Sequence, residues 1–200
     1  MGRTREFDRD AVLDTAIDVF WSNGYEATSL DDLTAAMGIG RGSLYNEFGS
    51  KHALFLESLD VYRERRRVEL ERALWSAPSA RAGIEAVFRR ITLRLRRDSG
   101  RRGCLLVNAA AERAGSDVAV AERVREALGA FASAFRGALE RGQRQGEFDP
   151  AMDSSVMADH LASTLICLRL LARVGDARVA DNLVRMSLIA LDTARLDGNA

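Results

Sequence analysis

Cysteine and histidine are scarce in this chain of 200 residues, two of each. Two thiols, Cys104 and Cys167, make neither a disulfide framework nor a zinc spacing, and His52 and His160 are too few for a typical metal site. His160 and Cys167 share a helix face, but a separation of seven residues puts them about 10 Å apart along the axis, too far to hold one ion. No metal and no cofactor is therefore expected. Proline is limited to Pro78 and Pro150, which fall between stretches of helical periodicity and mark their ends. No charge sign dominates, since 29 basic residues balance 29 acidic ones, so composition alone does not announce a polyanionic partner. No apolar run reaches transmembrane length without an interrupting charge, and the first residues are charged where a signal peptide would be apolar. The expectation is a cytoplasmic chain with no membrane partner. Internal repeats and low-complexity segments are missing, as is any Ser-His-acid arrangement, glycine-rich phosphate loop or metal motif at useful spacing, so catalysis is not expected.

What is present is apolar residues at helical spacing. They make up 47% of the chain, enough for a sizeable core, and predict an all-α protein in two parts. Val12, Leu13, Ala16, Ile17 and Phe20 give one apolar face to a helix over 9–23, which Gly24 ends. Ser29 with Asp32 has the spacing of a capping box and starts a second helix, whose inner face is Leu30, Leu33 and Met37. Gly38 permits the left-handed backbone of a sharp turn. A third helix over 41–48 packs Leu44 and Phe48 inward, leaving Arg41, Ser43, Tyr45, Asn46 and Glu47 facing outward or sideways. Ser50 caps a long helix to about Trp75 with Leu54, Phe55, Leu59 and Tyr62 inward. Its charge run Arg63, Glu64, Arg65, Arg66, Arg67, Glu69 and Glu71 reads as a solvated face with ion pairs.

Further helices are predicted from Ser79 to about Arg97, from Cys104 to Glu112 after a loop at Ser99, Gly100 and Gly103, and from Val118 to Gln145. The last of these carries an inward stripe of Val124, Leu128, Phe131, Phe135 and Leu139. Two final helices, 154–174 and 176–196, are apolar over more than one face. Leu161, Leu165, Ile166, Leu168, Leu170 and Leu171 crowd the first. Leu183, Val184, Met186, Leu188, Ile189 and Leu191 crowd the second. One monomer cannot cover both, so an isologous four-helix pairing with a second copy of the chain is expected.

Three short helices with a glycine-bearing turn before the third have the layout of a helix-turn-helix, whose last helix enters the major groove. Arg41 can make a bidentate contact to guanine, while Gly42, Ser43, Tyr45 and Asn46 sit where base edges or phosphates are reached. Thr28 and Ser29 at one helix start and Lys51 at another are natural phosphate sites. Against strong non-specific DNA affinity stands the count over residues 1 to 51: nine acidic residues against Arg3, Arg5, Arg9, Arg41 and Lys51. Arg3 and Arg5 offer an arm toward an adjacent groove.

The run of Phe20, Gly24, Tyr25, Thr28, Ser29, Gly38, Ile39, Arg41, Gly42, Ser43, Leu44, Tyr45, Phe48, Ser50, Lys51, Leu54 and Phe55 resembles the DNA-binding domain of the tetracycline-repressor-like (TetR) family. The resemblance is close over roughly the first 60 residues. It implies that the third helix reads an operator, that Tyr45 and Lys51 contact phosphate, and that a variable C-terminal domain binds a ligand and dimerises. Asn46 and Glu47 depart from the aromatic or His residues frequent there, so operator sequence does not carry over. The division implied is a DNA-binding domain over 1–50, continuing into the long helix to about 62, and a ligand-binding and dimerisation domain over 51–200.

The function expected is a homodimeric repressor released from a palindromic double-stranded operator by a small apolar or aromatic effector. A pocket between the middle helices is expected from Phe88, Ile91, Leu95, Val107, Phe131, Phe135, Leu161 and Leu165, with Asn108, His160 and Thr164 as polar points. Cys104, at a helix start near Arg101 and Arg102, is a candidate redox or electrophile sensor, because both features stabilise a thiolate. The segment from Gly103 through Asn108 to Glu112 also resembles one in a TetR branch with cysteine-based sensing. Two alternatives stand beside the effector reading: a thiol-based repressor acting through Cys104, and a helical ligand-binding protein that does not bind DNA.

Overall fold

The computed structural model of the chain describes residues 7–96 and 102–193. Arg3 and Arg5 of the expected arm, Ser99, Gly100 and Arg101 of the expected loop, and Leu196 lie outside the described residues. Among the described residues there are nine helices and no strand: α1 (Arg9–Asn23), α2 (Leu30–Met37), α3 (Arg41–Phe48), α4 (Lys51–Trp75), α5 (Ala80–Arg96), α6 (Leu105–Arg113), α7 (Val118–Arg144), α8 (Ser154–Val174) and α9 (Ala177–Thr193).

The ends of these helices follow local chemistry. Asp8 caps α1 by accepting from the backbone N–H of Asp10 and Ala11. The expected capping box at α2 forms in full: Ser29 Oγ accepts from Asp32 N at 3.0 Å, and the Asp32 carboxylate accepts from Ser29 N at 2.8 Å. The Ser29 hydroxyl also donates to Asp32 Oδ2 at 2.7 Å, and this bond first, with that from Ser29 N–H, holds the Asp32 carboxyl below its usual range. Gly38 closes α2 at φ 65°, the left-handed conformation that lets Ile39 and Gly40 turn the chain directly into α3. A non-local cap serves α5, where Glu147 accepts from Ala80 N at 3.0 Å and Arg81 N at 3.1 Å from the loop after α7.

Helices α1 to α3 and the first half of α4 enclose one core. Phe20, Leu33, Leu44 and Leu54 are fully buried there, and Phe20, Tyr25 and Phe55 form a ring cluster with centroids 4.8–6.3 Å apart. Leu30, expected on the inner face of α2, is only half-buried. Helix α4 continues without a break into a second core built with α5, α7 and α8, where Phe88, Phe131 and Phe135 are closed off from solvent. The stripe of α7 runs through Ala127, Phe131, Ala134, Phe135, Ala138 and Leu139. Leu128, expected inside, is 40% exposed, because the inner face is set by small alanines that let α4 and α8 approach.

Leu161, Leu165 and Leu168 of α8 and Leu191 of α9 turn inward, while Leu170, Val174, Met186 and Ile189 stay exposed. Helix α8 is also the one described helix long and apolar enough to cross a membrane by length and composition. It nevertheless contains Asp159 and Arg169, and packs its inner face on α5, α7 and α9.

Candidate nucleic-acid interface and effector cavity

The outer surface of α3 is made by Arg41, Gly42, Tyr45 and Asn46, all exposed, with Ser43 half-buried beside them. Leu44 and Phe48 anchor the opposite face in the core. Arg41 is held across the turn by Asp31, with Nη2 at 2.6 Å and Nε at 3.0 Å from one carboxylate oxygen. Both side chains are more than half exposed, so the pair is weak and opens at little cost when a base or phosphate competes. Glu47, expected outward or sideways, turns sideways toward α1, where Arg9 Nε donates to it at 2.6 Å and Arg9 Nη2 donates to Glu57 at 2.9 Å. Arg9 also lies over the Phe48 ring at 5.2 Å, and so clamps α1, α3 and α4 together.

Thr28 is turned inward as well. It is 1% exposed, and its hydroxyl donates to Gly24 O at 2.6 Å, which removes it from phosphate contact. Ser29 remains exposed at the α2 start. At the start of α4, Ser50 Oγ accepts from the N–H of Ala53 and Ser50 O from that of Leu54, so the helix opens at Lys51. Lys51 Nζ sits 4.2 Å over the Tyr25 ring, which holds the ammonium in place without neutralising it.

A junction fixes this interface to the rest of the chain. Glu112 of α6 accepts from Tyr25 N at 2.9 Å and Glu26 N at 2.8 Å. Its approach also explains Gly24, whose φ is 83° and where an added Cβ would stand 2.9 Å from the Glu112 carboxylate. Arg113 pairs with Glu26, and His52 Nε2 lies 2.8 Å from Asp117 Oδ2. Burial works to raise the Asp117 carboxyl, but hydrogen bonds from His52, Val120 N–H and Arg113 outweigh it and hold the group below its usual range.

Between the two parts lies a cavity of about 210 Å³. Trp21 of α1, Tyr62, Arg66, Glu69, Leu70 and Ala73 of α4, and Val87, Arg90, Ile91 and Arg94 of α5 line it on one side. Arg102 and Gly103 ahead of α6, and Leu165, Arg169 and Ala172 of α8, complete it. Burial drives the Tyr62 phenol well above its ordinary value, the neighbouring Cys104 adds to the rise, and Arg66 and Arg169 oppose it. The phenol therefore stays protonated at neutral pH and is a standing donor.

The family model for bacterial regulatory proteins of the tetR family matches residues 12–58, and that for the tetracyclin repressor-like C-terminal domain matches residues 80–187. The chain belongs to the TetR family of transcriptional regulators. It is 34% identical to the HTH-type transcriptional regulator YezE of Bacillus subtilis, over 96% of this chain and all of that one. It is 32% identical to the HTH-type transcriptional repressor ComR of Escherichia coli, over 98% of this chain and 91% of that one. Among solved structures, a cysteine mutant of the TetR-family regulator CifR in complex with 26-bp double-stranded operator DNA superposes with a TM-score of 0.81 at 35% identity, covering 95% of this chain and 100% of that one. As a TetR-family regulator the chain binds double-stranded DNA and is not an enzyme.

In this TetR-family chain most of the expected ligand residues do not gather at the cavity. Ile91 and Leu165 line it, but Phe88, Phe131, Phe135 and Leu161 are fully buried in the closed core, and Leu95 and Val107 are not part of its wall. Thr164 and His160 both bond to Ser187 Oγ, each at 3.0 Å, forming a polar link from α8 to α9. Asn108 donates to Arg102 O at 3.0 Å and shapes the loop before α6. Cys104 is the N-cap residue of α6 as expected, but it is 1% exposed and the cation beside it is Arg169, with Nη1 3.5 Å from the sulfur. Arg102 points elsewhere, to Asp18 and over Trp21. In the sequence Arg66 stands in a charge run that reads as a solvated face, and neither Trp21 nor Arg169 is singled out. The one available signal was Arg169, a charge inside the apolar run from Leu165 to Leu171.

Proposed function

We propose that this TetR-family regulator is a homodimeric repressor released from a palindromic operator when a small molecule enters the cavity between its two parts. The observation that carries the reading is Trp21, a residue of the DNA-binding part that forms a wall of the cavity. Trp21 Nε1 donates to Arg102 O at 3.1 Å, and Arg102 returns a bond to Asp18 at 3.0 Å, so whatever occupies the cavity presses on both α1 and α4. Coupling of this kind lowers operator affinity only as far as the ligand prefers one arrangement over the other. Residues 1–50, with α4 to about 62, form the DNA-reading part, and residues 51–200 the ligand and dimer part.

Operator contacts are assigned to Arg41, Gly42, Ser43, Tyr45 and Asn46 of α3, with Ser29 and Lys51 on phosphate. Dimerisation is assigned to α8 and α9, whose exposed Leu170, Val174, Met186 and Ile189 supply the apolar surface a second copy covers. Support also comes from ComR, named a repressor, and from CifR, solved on its operator.

Selection of duplexes from a random pool by the purified protein tests this. Enrichment of a palindrome that Tyr45→Ala with Lys51→Ala abolishes is the expected result; no enriched site at moderate salt overturns it in favour of a ligand-binding protein without DNA binding. A second reading, release through oxidation or alkylation of Cys104, is favoured by the fixed positive charge of Arg169 beside its sulfur. Release by a thiol oxidant that persists in Cys104→Ser refutes it.

A further inference from the structure

The chemistry of the cavity wall differs from the apolar pocket that the sequence suggests. Five guanidinium groups, those of Arg66, Arg90, Arg94, Arg102 and Arg169, line it, and Glu69 is the single carboxylate among the lining residues. Glu69 is shared, bonded by Arg66 at 2.6 Å, paired with Arg90, and 3.8 Å from Arg94. Arg102 is answered by Asp18 from outside the wall. Arg169 has no carboxylate within ion-pair distance among the described residues; it lies 5.1 Å over the Phe131 ring and donates only to the Cys104 sulfur.

Aromatic rings also hold two of these cations in place, beside their carboxylate partners. Arg66 stands 4.9 Å over Tyr62 and 5.9 Å over Trp21, and Arg102 4.5 Å over Trp21. Arg66 Nε is buried and finds no acceptor among the described residues. A buried donor without an acceptor carries a desolvation cost that an incoming acceptor relieves. The remaining wall is apolar, from Leu70, Val87, Ile91 and Leu165. At about 210 Å³ the space lies below the range of about 300–1,000 Å³ usual for drug-sized ligands.

We infer that the effector is a small organic carboxylate with a compact apolar body, its carboxylate received by Arg169 and Arg66 with the Tyr62 hydroxyl as a further donor, and its body lying along Trp21, Val87 and Ile91. This deepens the effector reading above and rests on it. Guanidinium forks suit a carboxylate geometrically, and their bonds are stronger than neutral ones because donor and acceptor are both charged. A neutral isostere forfeits that charge-assisted part.

The test uses the full-length protein and two matched probe pairs, benzoate with benzamide and hexanoate with hexanamide, together with inorganic phosphate, by titration calorimetry and by operator release in fluorescence anisotropy. At least one carboxylate is expected to bind about tenfold or more tightly than its amide. Arg169→Gln should lose that preference, and Arg136→Gln, which removes the same charge from the exposed face of α7, should keep it. Amides that bind as well as the acids, failure of both acids to bind, or an Arg169→Gln protein that binds like the wild type each overturn the carboxylate assignment. Phosphate binding as tightly as either acid overturns the apolar body. Binding with the expected preference that leaves operator affinity unchanged supports the carboxylate site and overturns the release reading instead, so the two fail separately.

Discussion

Replacing Glu112 by alanine removes two hydrogen bonds that join α6 to the loop between α1 and α2, at 2.9 Å to Tyr25 N and 2.8 Å to Glu26 N. Both acceptors belong to one carboxylate, which makes the bonds charge-assisted, but the site is exposed and water replaces part of what is lost. A cost of about 1–2 kcal/mol follows. For a chain of this size that corresponds to a fall in Tm of about 2–8 °C. Scanning calorimetry of the purified protein with and without operator is the assay. Glu112→Gln, which keeps one acceptor oxygen, should fall between alanine and wild type. Operator affinity should weaken in the same order, because the loop carries Tyr25, the ring over which Lys51 is held. A Glu112→Ala protein within about 1 °C of wild type would refute the view that this carboxylate ties the DNA-reading part to the rest.

Lys51→Ala should reduce operator affinity across sequences and lower the slope of log affinity against log salt by about one per protomer; an unchanged slope removes Lys51 from the phosphate contacts. Gly83→Ala places a Cβ 2.7 Å from Leu74 O and 3.1 Å from Leu74 Cα, backbone atoms that cannot swing aside, and should cost about 1–3 kcal/mol, read as a lower urea midpoint with the same slope. Asp117 has a depressed pKa in the folded chain, so its contribution is complete above the ordinary value of about 3.9 and disappears as pH falls through the lower folded value. The stability gap between wild type and Asp117→Asn should therefore hold from neutral pH to about pH 4 and close only below it; a gap that closes already near pH 6 shows that a different group controls the junction.

Elements with local causes were readable in advance. Ser29 and Asp32 declare the start of α2 because both halves of the box lie within one turn, and Leu44 and Phe48 declare the inner face of α3 because four residues return the chain to the same side. Tertiary choices were not readable. Spacing leaves Glu47 outward or sideways, and the choice is made by Arg9, 38 residues away; Thr28 looks like a surface cap and its hydroxyl goes to Gly24 O. The cavity was the hardest part. Periodicity separates inside from outside but cannot tell a residue that fills a core, such as Phe131, from one that borders a space, such as Ile91. A charge run on α4 reads as a solvated face with ion pairs, and Arg66 does pair with Glu69 at 2.6 Å, but it also packs against the Tyr62 and Trp21 rings at the cavity.

Helix α4 carries Lys51 as its first residue and Arg66 on the cavity wall, all within one unbroken helix of 25 residues. Between those two side chains lie fifteen steps of 1.5 Å, an arm of about 22 Å. Pivoting the helix near the cavity by about 5° sweeps its DNA-facing end through about 2 Å, since that is the arm multiplied by the sine of the angle. In the proposed homodimer, two copies moving in opposite senses would separate the reading heads by up to about 4 Å, set against a helical repeat of about 34 Å that tolerates little mismatch between half-sites. A tilt of a few degrees at the cavity is thus geared up into a shift at the DNA-facing end wider than a hydrogen bond tolerates, carried by the helix itself.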